Sequence, residues 1–325
     1  MNRTRSHVWR PGRACVLAAG AILLLAASAA GPAAAQDDLG GQRVGTSSAS
    51  FLKIGLDARG AALGGAYGAL VEGPAAVFAN PARMLTSRGG LQLQLSQVRW
   101  PADLTLNSLS ATIPFTYLGV RLGVGLASLG TTFDETTEFH PQGTGRSVAF
   151  SDFVGTVSGA RAFTDRLSIG VSVKYFREDL GSNVGGPVCQ GFLLDAGSVY
   201  DLRYANSRFA VVVANFGADL DPEGGYNSHL TGSEVSYTAF SPPTQFQLAF
   251  ALDPWSRGRH RLTTTAVILH QSDDSETVRG GLEYRFAESY ALRAGHDFQA
   301  DELGFSAGLG AAFEFGGRLG SLDYA

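Results

Sequence analysis

The chain has 325 residues, with 25 Lys and Arg against 29 Asp and Glu, a formal net charge of −4 and 42 glycines. Slight acidity without a basic run excludes a nucleic-acid binder held by phosphate contacts, and a total of two cysteines excludes a disulfide framework. Past residue 35 no apolar run reaches the 18 residues that a spanning helix needs, which excludes a helical membrane protein.

The chain opens with Arg3, Arg5, Arg10 and Arg13, continues with an apolar run from Ala14 to about Gly31, and reaches Ala33-Ala34-Ala35 before Gln36. Basic, then apolar, then A-x-A is the order of a secretory signal peptide, so residues 1–35 are expected to be removed by cleavage near Ala35. An uncleaved anchor is the alternative that the length of the run raises; its small alanines and the cleavage site argue for removal. Cys15 precedes the apolar core, the wrong side for a lipid attachment site. Cleavage takes away four arginines and no acid, leaving 290 residues with 21 basic and 29 acidic side chains, net −8. Cys189 is then alone and reads as a small residue at a strand start.

Residues 36–88 read as a plug. Between 50 and 86 the sequence loses strand alternation and crowds small residues, among them Gly55, Ala58, Gly60, Gly64 and Gly65, around Phe51 and Arg59. Asn80-Pro81 forces a turn. Such pieces are expected to be short, closely packed helices or loops that suit the mouth of a barrel, where side-chain room is scarce.

Between residues 89 and 325 thirteen stretches have every second residue apolar, as in Leu118, Val120, Leu122, Val124 and Leu126 against Gly119, Arg121, Gly123 and Gly125. This dyad pattern predicts strands at about 90–99, 104–115, 118–129, 148–163, 167–178, 190–202, 208–217, 244–252, 261–270, 277–286, 289–298, 303–315 and 319–325. They recur about every 18 residues, wider than the 8–12 of a soluble sandwich and suited to tilted strands of about 9–11 residues across a bilayer. The fold expected is all-β: a transmembrane antiparallel β-barrel with a small N-terminal helical or looped plug.

With the first strand running outward, the periplasmic connections are all short: 116–117, 164–166, 203–207, 253–260, 287–288 and 316–318. The long ones, 130–147, 179–189 and 218–243, all fall on the external side, as barrels show. Thirteen strands is an odd number, whereas closed single-chain bacterial barrels use an even one. About fourteen are therefore expected, the last hairpin missing, with a seam between Leu91–Arg99 and Leu319–Ala325.

Turning the apolar alternation outward places Arg121, Lys174, Arg279, Glu283, Arg285, Arg293, Asp297, Glu314 and Asp323 in the lumen. Arg279, Glu283, Arg285, Arg293, Asp297 and Glu314 form the candidate polar cluster, read as paired charges that rigidify the lumen, with a polar constriction as the alternative. The strand at 208–217, and part of that at 148–163, is apolar on both faces, fit either to hold the plug or to line a route for a greasy ligand. His140, His229, His260, His270 and His296 are scattered singly, so no zinc site is expected. Asp219-Leu220-Asp221-Pro222-Glu223-Gly224 opens like a calcium loop, but Leu230 stands where its bidentate Glu belongs. His270 and Ser272 have no Gly-x-Ser-x-Gly elbow and no third orienting group, so no catalysis, metal or cofactor is expected.

The run FLKIGLDARGAALGGAYGALVEGPAAVFANPA, from Phe51 to Ala82, resembles the N-terminal signature of the PorV/PorQ family within the FadL-like group of outer-membrane barrels, and Leu322 to Ala325 resembles that family's terminal region. The resemblance implies a fourteen-stranded barrel with an N-terminal plug in a Gram-negative outer membrane, surrounded by its lipid. It implies transport of hydrophobic or other small molecules or, as the alternative, a secretion component that binds exported protein cargo. A structural envelope barrel is the third reading.

Overall fold

The computed structural model describes residues 45–86, 89–100, 104–227, 232–300 and 304–325. The signal peptide expected over 1–35, the plug segment up to residue 44, His229, Leu230 and Leu303 lie outside the described residues. Seven strands come first: β1 (Gln92–Trp100), β2 (Leu104–Phe115), β3 (Val120–Asp134), β4 (Ser147–Ala162), β5 (Leu167–Leu180), β6 (Val188–Asp201) and β7 (Arg208–Phe216). After a small hairpin, β8 (Gly225–Asn227) and β9 (Glu234–Ser236), follow β10 (Gln245–Arg257), β11 (His260–Gln271), β12 (Thr277–Phe286), β13 (Tyr290–Asp297), β14 (Phe305–Phe315) and β15 (Arg318–Tyr324). All but the hairpin form one antiparallel sheet of 13 strands in chain order, β7 pairing directly with β10. Among the described residues no ladder joins β1 to β15, so the sheet is not closed there.

The alternation sets the two faces. In β3, Arg121, Ala127 and Leu129 are buried, while Leu122, Val124 and Leu126 between them are 42–53% exposed. Leu95 at 80% and Leu309 at 57% continue this apolar exterior. In water such a surface is a liability, whereas against hydrocarbon it is the stable arrangement.

Several boundaries depart from the sequence reading, among them the end of β3, which runs to Asp134 instead of residue 129, and three departures have a local cause. β3 starts at Val120 instead of residue 118, because Thr116–Leu118 closes a 3-10 turn. The connection expected at 253–260 shrinks to Gly258 and Arg259, because β10 continues through Pro254 to Arg257. Proline has no N–H for the ladder, and the register shift between Leu252 and Trp255 is the bulge that accommodates it. Gly258 takes φ 61°, the left-handed first position of a tight hairpin turn. The connection expected at 218–243 contains β8 and β9, too short to register as alternation.

The plug consists of helical turns at Ser50–Lys53, Ala58–Ala62, Gly73–Ala75, Ala76–Ala79 and Pro81–Thr86. Asp57 caps Ala58–Ala62 by accepting from the Gly60 N–H at 3.1 Å. Leu63, Leu70, Val71, Val77 and Met84 are buried against inward residues of the wall, including Ala210, Ala249, Ala251 and Val267. Asn80 donates to the Gly68 carbonyl at 2.9 Å and accepts from Ala82 N–H at 3.2 Å, fixing the bend before Pro81.

Close approach is possible because several inward wall positions lack side chains. A Cβ at Gly170 would run into the backbone of Pro81 and Ala82, and one at Gly295 into that of Leu63 and Gly64. A Cβ at Gly159 meets only Leu122, at 4.0 Å. Gly170→Val should therefore destabilise the folded protein by about 1–3 kcal/mol through overpacking, and Gly159→Val should change it by less than about 0.5 kcal/mol. Urea titration of the heat-modifiable band on gels measures both.

Candidate functional site

Arg279, Glu283 and Arg285 share the inward face of β12, and the ladder sets Glu283 opposite Arg293 and Arg279 opposite Asp297 on β13. The Glu283 carboxylate, 1% exposed, is the hub. It accepts from Arg59 Nε at 2.7 Å and Nη2 at 2.9 Å, from Arg293 Nε at 2.6 Å and from Arg285 Nε at 2.8 Å. Arg293 also donates to Asp323 on β15 at 2.5 Å, and Arg279 pairs with Asp297 at 2.8 Å. On the plug, Glu72 lies 3.4 Å from Arg59 and 3.6 Å from Arg83.

Burial alone would push the Arg59 guanidinium down, but Glu283, Tyr67 and Glu72 outweigh it and hold it well above its ordinary value. Burial likewise opposes ionisation of Glu72, and the surrounding arginines, Arg59 first, hold its carboxyl below the usual range. The fork of Arg59 on Glu283 is thus a permanent, desolvated ion pair between plug and wall. Five of the six cluster residues expected from sequence take part in ion pairs here. Glu314 does not: it is exposed near the end of β14 and joins no ion pair among the described residues.

The plug residues divide between two tasks. Arg59 carries the clamp, Gly60 packs on the Tyr67 ring, and Gly64 and Gly65 fit against β13 and Arg279. Phe51 is buried among Leu129, Phe176 and Leu193, whereas Gly55 is exposed and, with Ala58 half-buried beside it, leads into Ala58–Ala62. Asn80 and Pro81 meet Gly197 on β6.

A second attachment holds residues 47–53 at the opposite end, where the long connections gather. Asp273, between β11 and β12, accepts from the Ser47 hydroxyl and from Lys53 Nζ, the latter at 2.8 Å. Glu178 on β5 accepts from the Ser48 hydroxyl at 2.5 Å and from Ala49 N–H at 3.2 Å. Burial opposes ionisation of Asp273, but the bonds from Lys53 and Ser47 outweigh it and keep its carboxyl below the usual value.

Between this strap, the plug and the wall lies a cavity of about 790 Å³. Its apolar lining includes Leu52, Phe78, Val98, Leu129, Phe150 and Val154; its polar lining includes Asp152, Lys174, Glu178 and Asn215. Lys174 pairs with Asp195 at 2.7 Å and donates to Asn215 at 2.8 Å. Asn215 sits at φ 58° in a bulge of β7 that turns it inward, and its N–H donates to Asp195 at 2.8 Å. The two-faced apolar strand divides likewise, Ala210 packing on the plug and Val212 lining the cavity.

Sequence reasoning missed Asp152, Glu178, Asp195 and Asn215. Asp195 was within reach, since it stands in phase with inward Leu193 and Val199 on β6. Asn215 was not, because the bulge breaks the phase. His140, His260, His270 and His296 stay apart: His260 meets Tyr284 at 2.6 Å and His270 meets Glu276 at 3.2 Å. Among the described residues no three His, Cys, Asp or Glu side chains gather as metal ligands.

A one-layer antiparallel sheet with an apolar exterior and helical turns packed on its charged inner face defines a fold of the transmembrane β-barrel type. That fold is similar to the Pseudomonas putida toluene transporter TodX, with TM-score 0.50 and 15% identity over 81% of this chain and 89% of that one. A deltaS2 mutant of the TodX monoaromatic hydrocarbon channel gives TM-score 0.50 and 15% identity over 80% and 89%. A Pseudomonas aeruginosa FadL homologue gives 0.48 and 13% over 82% and 88%. No family model and no curated protein sequence matches the chain.

Two outcomes follow from the anchors. Glu283→Gln strips the partner from three buried or half-buried arginines and should cost about 3–5 kcal/mol, read as a fall in the urea midpoint of the folded band. At Asp273 the folded-state pKa is depressed, so its contribution is present above the ordinary carboxylate value of about 3.9 and lost as pH falls through the lower folded value. Pepsin cleavage within residues 45–56 should therefore rise as the pH falls from about 4 to 2.

Proposed function

We propose that this protein is an outer-membrane channel for hydrophobic small molecules, exported with a signal peptide cleaved near Ala35 and without catalytic activity. The observation that carries the reading is the cavity of about 790 Å³, edged by Leu52, Phe78, Leu129, Phe150 and Val154 and floored by a plug clamped to the wall. A volume within the roughly 300–1,000 Å³ of small-molecule sites, with an apolar stretch of lining beside charges that are mostly paired with one another, suits a ligand with a large apolar body. The proteins of similar fold, a toluene transporter and a monoaromatic hydrocarbon channel, agree with that chemistry.

A second reading follows from the resemblance of residues 51–82 to the PorV/PorQ signature: a secretion component whose long connections receive protein cargo. The β8–β9 hairpin and Phe139, 85% exposed on the connection between β3 and β4, favour it by offering a surface outside the lumen.

Proteoliposomes containing the mature protein should take up ethylbenzene several-fold faster than protein-free vesicles. Deleting residues 50–86 should raise single-channel conductance in planar bilayers, provided that the deletion retains a heat-modifiable band. Uptake equal to empty vesicles, with export lost on deleting residues 225–236, would instead favour the secretion reading.

A further inference from the structure

One polar side chain of the cavity, Asp152, belongs to neither the clamp nor the strap. Asp152 on β4 faces Glu178 on β5 directly across the ladder, with Leu129 of β3 on its other side. Phe150 and Val154 flank it on the same face of β4. A carboxyl group is thereby set in an apolar cradle that opens on the cavity, since all five residues line it. Asp152 is 2% exposed, and its Oδ1 is buried without a hydrogen-bond partner.

The other charges of the cavity are paired elsewhere. Lys174 is bound to Asp195 and Asn215, Lys53 to Asp273, and Arg279 to Asp297. Glu178 accepts from Ser48 and Ala49, both on Oε2. Like charges directly opposite on neighbouring strands repel, and a buried carboxylate without a donor is costly. The pair therefore has acceptor capacity that the described residues leave unfilled.

We propose that Asp152 and Glu178 form the head-group end of the cavity and that its ligand is an apolar molecule bearing a primary ammonium group. An ammonium carries three N–H donors, enough to reach both carboxylates, and its charge cancels their repulsion. The apolar body then lies against Leu129, Phe150 and Val154. A carboxylate head would set a further acid against these two, and a hydrated divalent ion would need several further oxygen ligands where these apolar side chains stand. The proposal rests on the cavity being the ligand route of the proposed channel and specifies the chemistry of what it holds.

The test uses the full mature protein in nanodiscs and three probes of matched shape: phenethylamine, ethylbenzene and 3-phenylpropionate. Calorimetric titration should rank them amine first, hydrocarbon second and carboxylate last, the amine binding about ten- to a hundredfold tighter than the hydrocarbon. Asp152→Asn should remove most of that preference, and Glu178→Gln should reduce it. The ranking on the unaltered protein stands even where a variant fails to show a heat-modifiable band. Equal affinity for amine and hydrocarbon, preference for the carboxylate, or an undiminished preference in folded Asp152→Asn would overturn the site. Ethylbenzene uptake by wild-type proteoliposomes is read separately: amine preference without uptake leaves the site standing and sinks the channel, and uptake without amine preference does the reverse.

Discussion

The Glu283 carboxylate, held by Arg59 of the plug and by Arg285 and Arg293 of the wall, is the interaction on which the arrangement of the lumen depends. Desolvating one carboxylate and three guanidinium groups is costly, and only short charge-assisted hydrogen bonds from several directions offset it. The network extends through Arg293 to Asp323 on the last strand and through Arg59 to Glu72 within the plug. Three strands and the plug are thereby tied at one point. An apolar replacement of equal volume would fill the same space, but it would not define which plug side chain meets which strand.

The same alternation that presents Leu and Val to hydrocarbon determines how the plug fits. Every second residue faces inward, and where that residue is Gly170, Gly281 or Gly295 the plug backbone comes against the wall. Where it is Lys174, Glu178 or Asp195, the lumen instead carries charge, bounded by the strap at residues 47–53. Cavity and plug thus divide the interior between them. The bulges of β7 and β10 are local exceptions: one turns Asn215 inward to meet Lys174 and Asp195, and the other lets β10 pass Pro254.

Much of this was legible in the sequence because strand alternation is a local signal with a period of two. All thirteen strands of the sheet were found, and phase alone put Arg279, Glu283, Arg285, Arg293 and Asp297 on its inward face. The helical turns at residues 50–86 were legible as a break in alternation, but their partners were not, since nothing local links Arg59 to a residue 224 positions away. Glu314 shows the converse limit: phase assigns a side chain to a face but not to a depth, and this one lies at the exposed end of its strand. Asp152 escaped notice because its strand is apolar on both faces around it, so a single acid there gives no periodic signal. Asn215 and Pro254 escaped because bulges shift the phase itself.

The claim that the Arg59–Glu283 pair couples plug to wall is tested most directly by a double-mutant cycle. Arg59→Met, Glu283→Gln and the double variant would be unfolded in urea beside the unaltered protein, following the folded band. Coupling of about 1.5 kcal/mol or more, with the double variant more stable than the sum of the single losses predicts, is the expected result. Losses that add within about 0.5 kcal/mol would show that the two residues stabilise the protein independently and would contradict the account.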